Sequence, residues 1–96
     1  MKSENDFKEK LNKYREEIDE IDKNIVDLLN KRAVVVMEIK KLKEERNIPL
    51  YDARREDELL ENIIKYNKGP LYSDNISQIF ECILRNVQVL KKDENL

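Results

Sequence analysis

Phe7, Leu11, Tyr14, Ile18, Ile21, Ile25 and Leu28 follow one another at alternating spacings of four and three, the seam of a coiled-coil-like helix. Continuing the count leads to Arg32, Val35, Ile39 and Leu42, so a positive charge stands where the pattern asks for a leucine. The spacing predicts one helix from about residue 5 to residue 45, on the order of 60 Å long at 1.5 Å per residue. A helix of that length cannot bury its seam in a chain of 96 residues unless the other helices, or another copy, lie along it. A chain this short makes one domain, residues 1–96, and buries only a modest share of its own surface, so a partner subunit is expected.

Two punctuated breaks separate three helical blocks. In "RNIPLYD", Pro49 disfavours helix at Ile48 and ends the first block, and Asp52 is suited to cap a second helix, Ala53 to Asn67. In "KGP", Gly69 suits a left-handed position after that helix. Ser73 is expected to cap the third, "DNISQIFECILRNVQVLKK", with a stripe of Ile76, Ile79, Phe80, Ile83, Leu84, Val87 and Leu90. The fold class is therefore all-α. Charged residues are 42% of the chain and hydrophobic ones 40%, with one Gly and two Pro, a balance that suits long solvated helices and not a sheet. The same charge content is compatible with disorder, but periodic apolar residues argue for folding.

Several function classes drop out. A net charge of −2 with no His speaks against a nucleic-acid surface. Cys82 is the one cysteine, so there is no internal disulfide and no Cys/His set for a metal. Beside its apolar stripe it reads as a small core or edge residue, and Tyr14, Tyr51, Tyr66 and Tyr72 read as packing residues. The stretch from Met1 to Glu20 has no apolar run of a secretory signal, and no later segment resembles a membrane span. A soluble, cytoplasmic protein is expected.

Most charges, among them Glu16, Glu17, Lys23, Lys41, Glu44 and Glu45, fall outside the seam and read as a solvated face with weak ion pairs. The informative ones share phase with apolar residues. Lys43 lies about 16 Å beyond Arg32 along the helix, near enough for two long side chains leaning over Val36 and Ile39 to hold one small anion. Arg15 and Lys43 share a heptad position with Asp22, Leu29 and Val36. On the second helix Arg55 and Glu56 align with Leu59, Leu60 and Ile63 and are expected to point inward. Each cation alone could be an ion-pair member or a side chain snorkelling to water. Together, Arg15, Arg32, Lys43 and Arg55 outnumber the inward acids Asp22 and Glu56, and that excess calls for an anion. A small molecule with two carboxylates fits, because Arg binds carboxylate through paired donors. Arg15 and Arg32 stand about 25 Å apart on one helix, so both reach one ligand only if Arg15 comes from an antiparallel second subunit. That predicts a two-fold dimer with two equivalent composite sites.

These residues carry a resemblance. From about Leu11 to Lys91 the chain resembles the all-helical class of chorismate mutases, through "YREEIDEIDKNIVDLLNKR", "IKKLKEERNIPLYDARREDELLENI" and "IFECILRNVQVLK". The resemblance implies an intertwined six-helix homodimer, the Claisen rearrangement of chorismate to prephenate in phenylalanine and tyrosine biosynthesis, and no metal or organic cofactor. It implies that Arg32, with Arg15 of the other chain, holds the substrate carboxylates, with Arg55 nearby. Lys43 bonds the ether oxygen, and Glu56 with Asp52 places the ring hydroxyl. On the third helix Val87 stands where many members have a small polar residue. Lys91 stands where they have a Gln that gives a second bond to the ether oxygen, with Gln88 as its substitute if the register shifts. An isochorismate-pyruvate lyase on the same scaffold, or a non-catalytic dimerisation or regulatory relative, are the alternative functions.

Overall fold

The computed structural model describes the backbone of residues 2–93 and the side chains of residues 3–87. Three helices make it up: α1 Lys2–Glu44, α2 Ala53–Tyr66 and α3 Ser73–Asp93. The described residues contain no strand, and none of their helices is long and apolar enough to cross a membrane.

No Gly or Pro interrupts α1, and Glu4 in its first turn and Lys41 and Lys43 in its last complement the helix dipole. Its end is made by Asn47, which adopts a left-handed φ of 57°. The chain turns back there, so that Ile48 N donates to Lys43 O at 2.9 Å and Asn47 N to Glu44 O at 3.1 Å, which satisfies carbonyls that the helix leaves open. Pro49 then keeps Ile48 out of helix.

Asp52 caps α2 as expected, with extended backbone and a side chain that accepts from Arg55 N at 3.2 Å. The far end is closed by Asn67, whose N–H reaches Ile63 O and Ile64 O. Its side chain clamps the connection that follows: Oδ1 accepts from Gly69 N at 3.1 Å and Nδ2 donates to Leu71 O at 2.7 Å. Gly69 has φ 82°, the left-handed conformation that a glycine adopts without strain. The start of α3 differs from expectation by one residue. Tyr72, not Ser73, holds the N-cap position, because Tyr72 O accepts from Ile76 N. The capping side chain is Asn75, whose Oδ1 accepts from Tyr72 N at 3.2 Å. The amide of Asn75 reaches back as a capping-box residue does, a role that Ser73, as first helical residue, is not placed to fill.

The chain divides into two compact units, Met1–Val35 and Val36–Leu96. The first is a stretch of α1 alone. Its seam is open, with Phe7 64%, Ile18 54% and Leu28 62% exposed. In the second, α2 packs on α3 through half-buried Leu59, Leu60, Ile63 and Ile64 on one side and Ile76, Phe80, Ile83, Leu84 and Val87 on the other. Ile79, expected in that stripe, is exposed, and the side chain of Leu90 lies outside the described residues. No apolar side chain among the described residues is buried. The tyrosines expected to pack, Tyr14, Tyr51, Tyr66 and Tyr72, are all exposed in the single chain: Tyr14 stands in the open seam of α1, Tyr51 and Tyr72 precede α2 and α3, and Tyr66 is the last residue of α2. The solvated charges behave as expected, as in the exposed pairs Lys23 with Glu20 at 3.4 Å and Lys41 with Glu38 at 3.6 Å.

Asn67→Ala removes both clamping bonds and is expected to lower unfolding free energy by about 1–2 kcal/mol, read from urea denaturation followed by circular dichroism. A loss of under about 0.3 kcal/mol would show that the clamp contributes nothing.

Candidate functional site

Val36, Lys40 and Lys43 are the shielded positions in the last turns of α1, with Lys40 only 8% exposed. Lys40 lies 3.9 Å from Glu44. Sequence reasoning did not single it out, although its spacing of four from Val36 and three from Lys43 was the available signal. Lys43 is half-buried, and its Nζ donates to Leu50 O at 3.2 Å. An ammonium has three N–H donors, so two remain for a ligand. The anchoring carbonyl of Leu50 is backbone, invisible to a reading of side-chain types.

Leu50 leads directly into the cap of α2. Asp52 Oδ1 accepts from Arg55 N, and Asp52 O accepts from Glu56 N at 3.1 Å, so Lys43, Asp52, Arg55 and Glu56 are linked through one short run of backbone. Glu56 is half-buried and lines a cleft of about 330 Å³ between α2 and α3, with Tyr51, Leu60, Leu84 and Arg85. Asp57 and Glu81 stand in the same lining. Carboxylates only accept hydrogen bonds when ionised, so this cleft suits a hydroxyl or another donor. Arg55 departs from expectation: its side chain is exposed. The shielded stripe of α2 runs through Glu56, Leu59, Leu60, Ile63 and Ile64, and Arg55 falls on its edge.

Arg32 is half-buried, and its Nη1 is buried with no hydrogen-bond partner. A guanidinium does not lose its proton, so an N–H removed from water without an acceptor is costly. Arg15 is exposed and stands about 25 Å from Arg32 along the helix axis, so one chain does not bring the two to a shared small ligand. On α3, Val87 is half-buried. The side chains of Gln88 and Lys91 lie outside the described residues. Cys82 is exposed and takes a hydrogen bond from Arg85 Nη2 at 3.3 Å, an edge position. Among the described residues no group of His, Cys, Asp and Glu is arranged to hold a metal ion.

Residues 14–92 match the family model described as chorismate mutase type II. The chain is similar to a protein named chorismate mutase from Methanocaldococcus jannaschii, 32% identical over 85 residues that cover 88% of this chain and 86% of that one. It is also similar to the bifunctional chorismate mutase/prephenate dehydratase of Aquifex aeolicus, 42% identical over 60 residues, or 62% of this chain but only 17% of that protein. A second bifunctional relative, from Buchnera aphidicola of Schizaphis graminum, is 38% identical over 96% of this chain and 23% of its own length. This chain therefore spans about a fifth of such relatives. Among solved structures, the chorismate mutase (form II) of Thermus thermophilus superposes with a TM-score of 0.83 at 31% identity, covering 86% of this chain and 94% of that one.

Asp52→Ala removes the α2 cap and is expected to cost about 1 kcal/mol of stability in urea unfolding, whereas Asp52→Asn, which keeps an acceptor, stays within a few tenths. Equal losses for the two would contradict the capping role.

Proposed function

The chain belongs to the chorismate mutase type II family, and on that premise we propose that it converts chorismate to prephenate as a two-fold homodimer with two composite sites. The observation that carries this reading is the orphaned Nη1 of Arg32. A buried cationic donor without an acceptor favours an anionic ligand, and chorismate is a dianion.

In each site Arg32 and Arg15 of the partner subunit hold the two carboxylates, with Arg55 adding positive charge. Glu56, with Asp52 at the start of α2, places the ring hydroxyl and so fixes the ring's orientation. The rearrangement is unimolecular: a C–O bond breaks while a C–C bond forms in the same molecule, and no proton or external nucleophile is required. Two contributions remain for the protein. One is holding the flexible enolpyruvyl arm over the ring in a chair-like conformer, which removes entropy from the barrier. The other is stabilising the negative charge that builds on the ether oxygen, for which Lys43 has two uncommitted N–H donors. Lys91, or Gln88, supplies the second donor from α3, and Val87 forms the apolar wall beside it. No cofactor takes part. The open seam of α1 supports the dimer, since a second α1 laid antiparallel covers it and carries Arg15 toward Arg32. The chain acts as one domain, and we place it in the cytoplasm, where exposed Cys82 stays reduced.

Purified protein incubated with chorismate is expected to yield prephenate. Release of pyruvate from isochorismate, with no prephenate formed from chorismate, would instead favour a lyase, and no turnover of either would sink both enzymatic readings. Arg32→Ala is expected to lower kcat/KM by about 100-fold or more while dimer mass and helix content persist. Mixing Arg15→Ala with Arg32→Ala chains and allowing exchange restores one intact site in each mixed dimer, or about a quarter of parental activity at equal ratio. No recovery after verified exchange contradicts shared sites.

A further inference from the structure

Lys43 is tied at both ends to the same turn. Its carbonyl accepts from Arg46 N at 3.1 Å and Ile48 N at 2.9 Å, and its Nζ donates to Leu50 O at 3.2 Å. What folds the chain back so that both ties form is Asn47, the one described non-glycine residue with positive φ, at 57°. We infer that Asn47 is a positioning residue for Lys43: its left-handed conformation sets the Leu50 carbonyl where it holds the Lys43 ammonium ready for a ligand.

The physical case rests on the freedom of lysine. Its four-carbon stem has large rotamer entropy, and the residues three and four before Lys43 on α1 are Lys40 and Ile39, neither an acid that could hold its tip. An acceptor at 3.2 Å selects the conformers that reach it and leaves two N–H donors directed elsewhere. Preorganisation of this kind removes a cost otherwise met during reaction. The acceptor is positioned by backbone, and the backbone path depends on a left-handed residue. Asn tolerates that conformation better than other non-glycine residues, whereas β-branched residues resist it strongly. A plain helix stop needs only that α1 end at Glu44. The second tie, from side chain to Leu50, goes beyond that need.

The inference rests on the proposed mutase activity for its kinetic consequence and stands on geometry for the placement of Lys43, so two readouts separate them. In the full chain, Asn47→Gly and Asn47→Val are compared with the parent for chorismate kinetics and for the rate of reductive methylation at Lys43, followed by peptide mass spectrometry. Asn47→Val is expected to raise Lys43 labelling about threefold or more and to lower kcat about tenfold, with a smaller change in KM. Asn47→Gly, which keeps the left-handed turn, stays within about twofold on both. If Asn47→Val fails to fold by circular dichroism, Asn47→Ala takes its place, with the same directions and smaller changes. Equal Lys43 labelling in all chains overturns the inference, as does altered labelling with unchanged kcat. A lower Tm alone is what a plain helix stop gives and overturns it too. A parent that does not turn over chorismate removes the proposed function, and the labelling then decides the placement of Lys43 by itself.

Discussion

The open seam of α1 is the constraint on which the rest depends. In the single chain Phe7, Ile18 and Leu28 are each more than half exposed, and no described apolar side chain is buried anywhere. Hydrogen bonds within a helix do not compensate for that, because helix stability in proteins comes mostly from covering an amphipathic face. An uncovered apolar stripe of this length marks an association surface. Its heptad spacing suits another helix of the same kind, and self-association is the simplest way for one sequence to provide one.

Two kinds of site residue follow from this. Lys43, Asp52 and Glu56 are placed by local bonds: the Asn47 turn, the Leu50 carbonyl and the cap on α2, all made within a short run of chain. On the proposed function, Arg15 depends on a second chain. On the proposed reading the locally placed groups address the ether oxygen and the hydroxyl, while the arginines address the carboxylates. Local geometry then serves the charge that changes during reaction, and assembly serves the charge that does not.

The difference between local and long-range order also explains what was legible in the sequence. Apolar spacing gave away all three helices, and Asp52 and Gly69 announced their conformations because each acts on neighbours within a few residues. Asn47 carries no such signal, because Asn is also an ordinary loop residue and Pro49 alone accounts for the helix end. At α3, Ser73 looked the better cap by residue type, but the hydrogen bonds belong to Tyr72 and Asn75, one position away. Alignment with Leu59 predicts an inward Arg55, yet its side chain is exposed at the edge of the stripe in the single chain. Lys40 is hidden from such a reading because a lysine on an amphipathic helix reads as solvated. Arg32 is legible by its phase in the seam, where a lone charge reads as an ion-pair member or a snorkelling side chain, and its Nη1 is buried without a hydrogen-bond partner.

The central claim is that the α1 seam is covered by a second copy of the chain. Sedimentation equilibrium of the purified protein, from about micromolar to about 100 micromolar, tests it directly. The account predicts a species of twice the 11.6 kDa chain mass across that range, with helix content unchanged on dilution. A folded, helical species at the mass of one chain would contradict it.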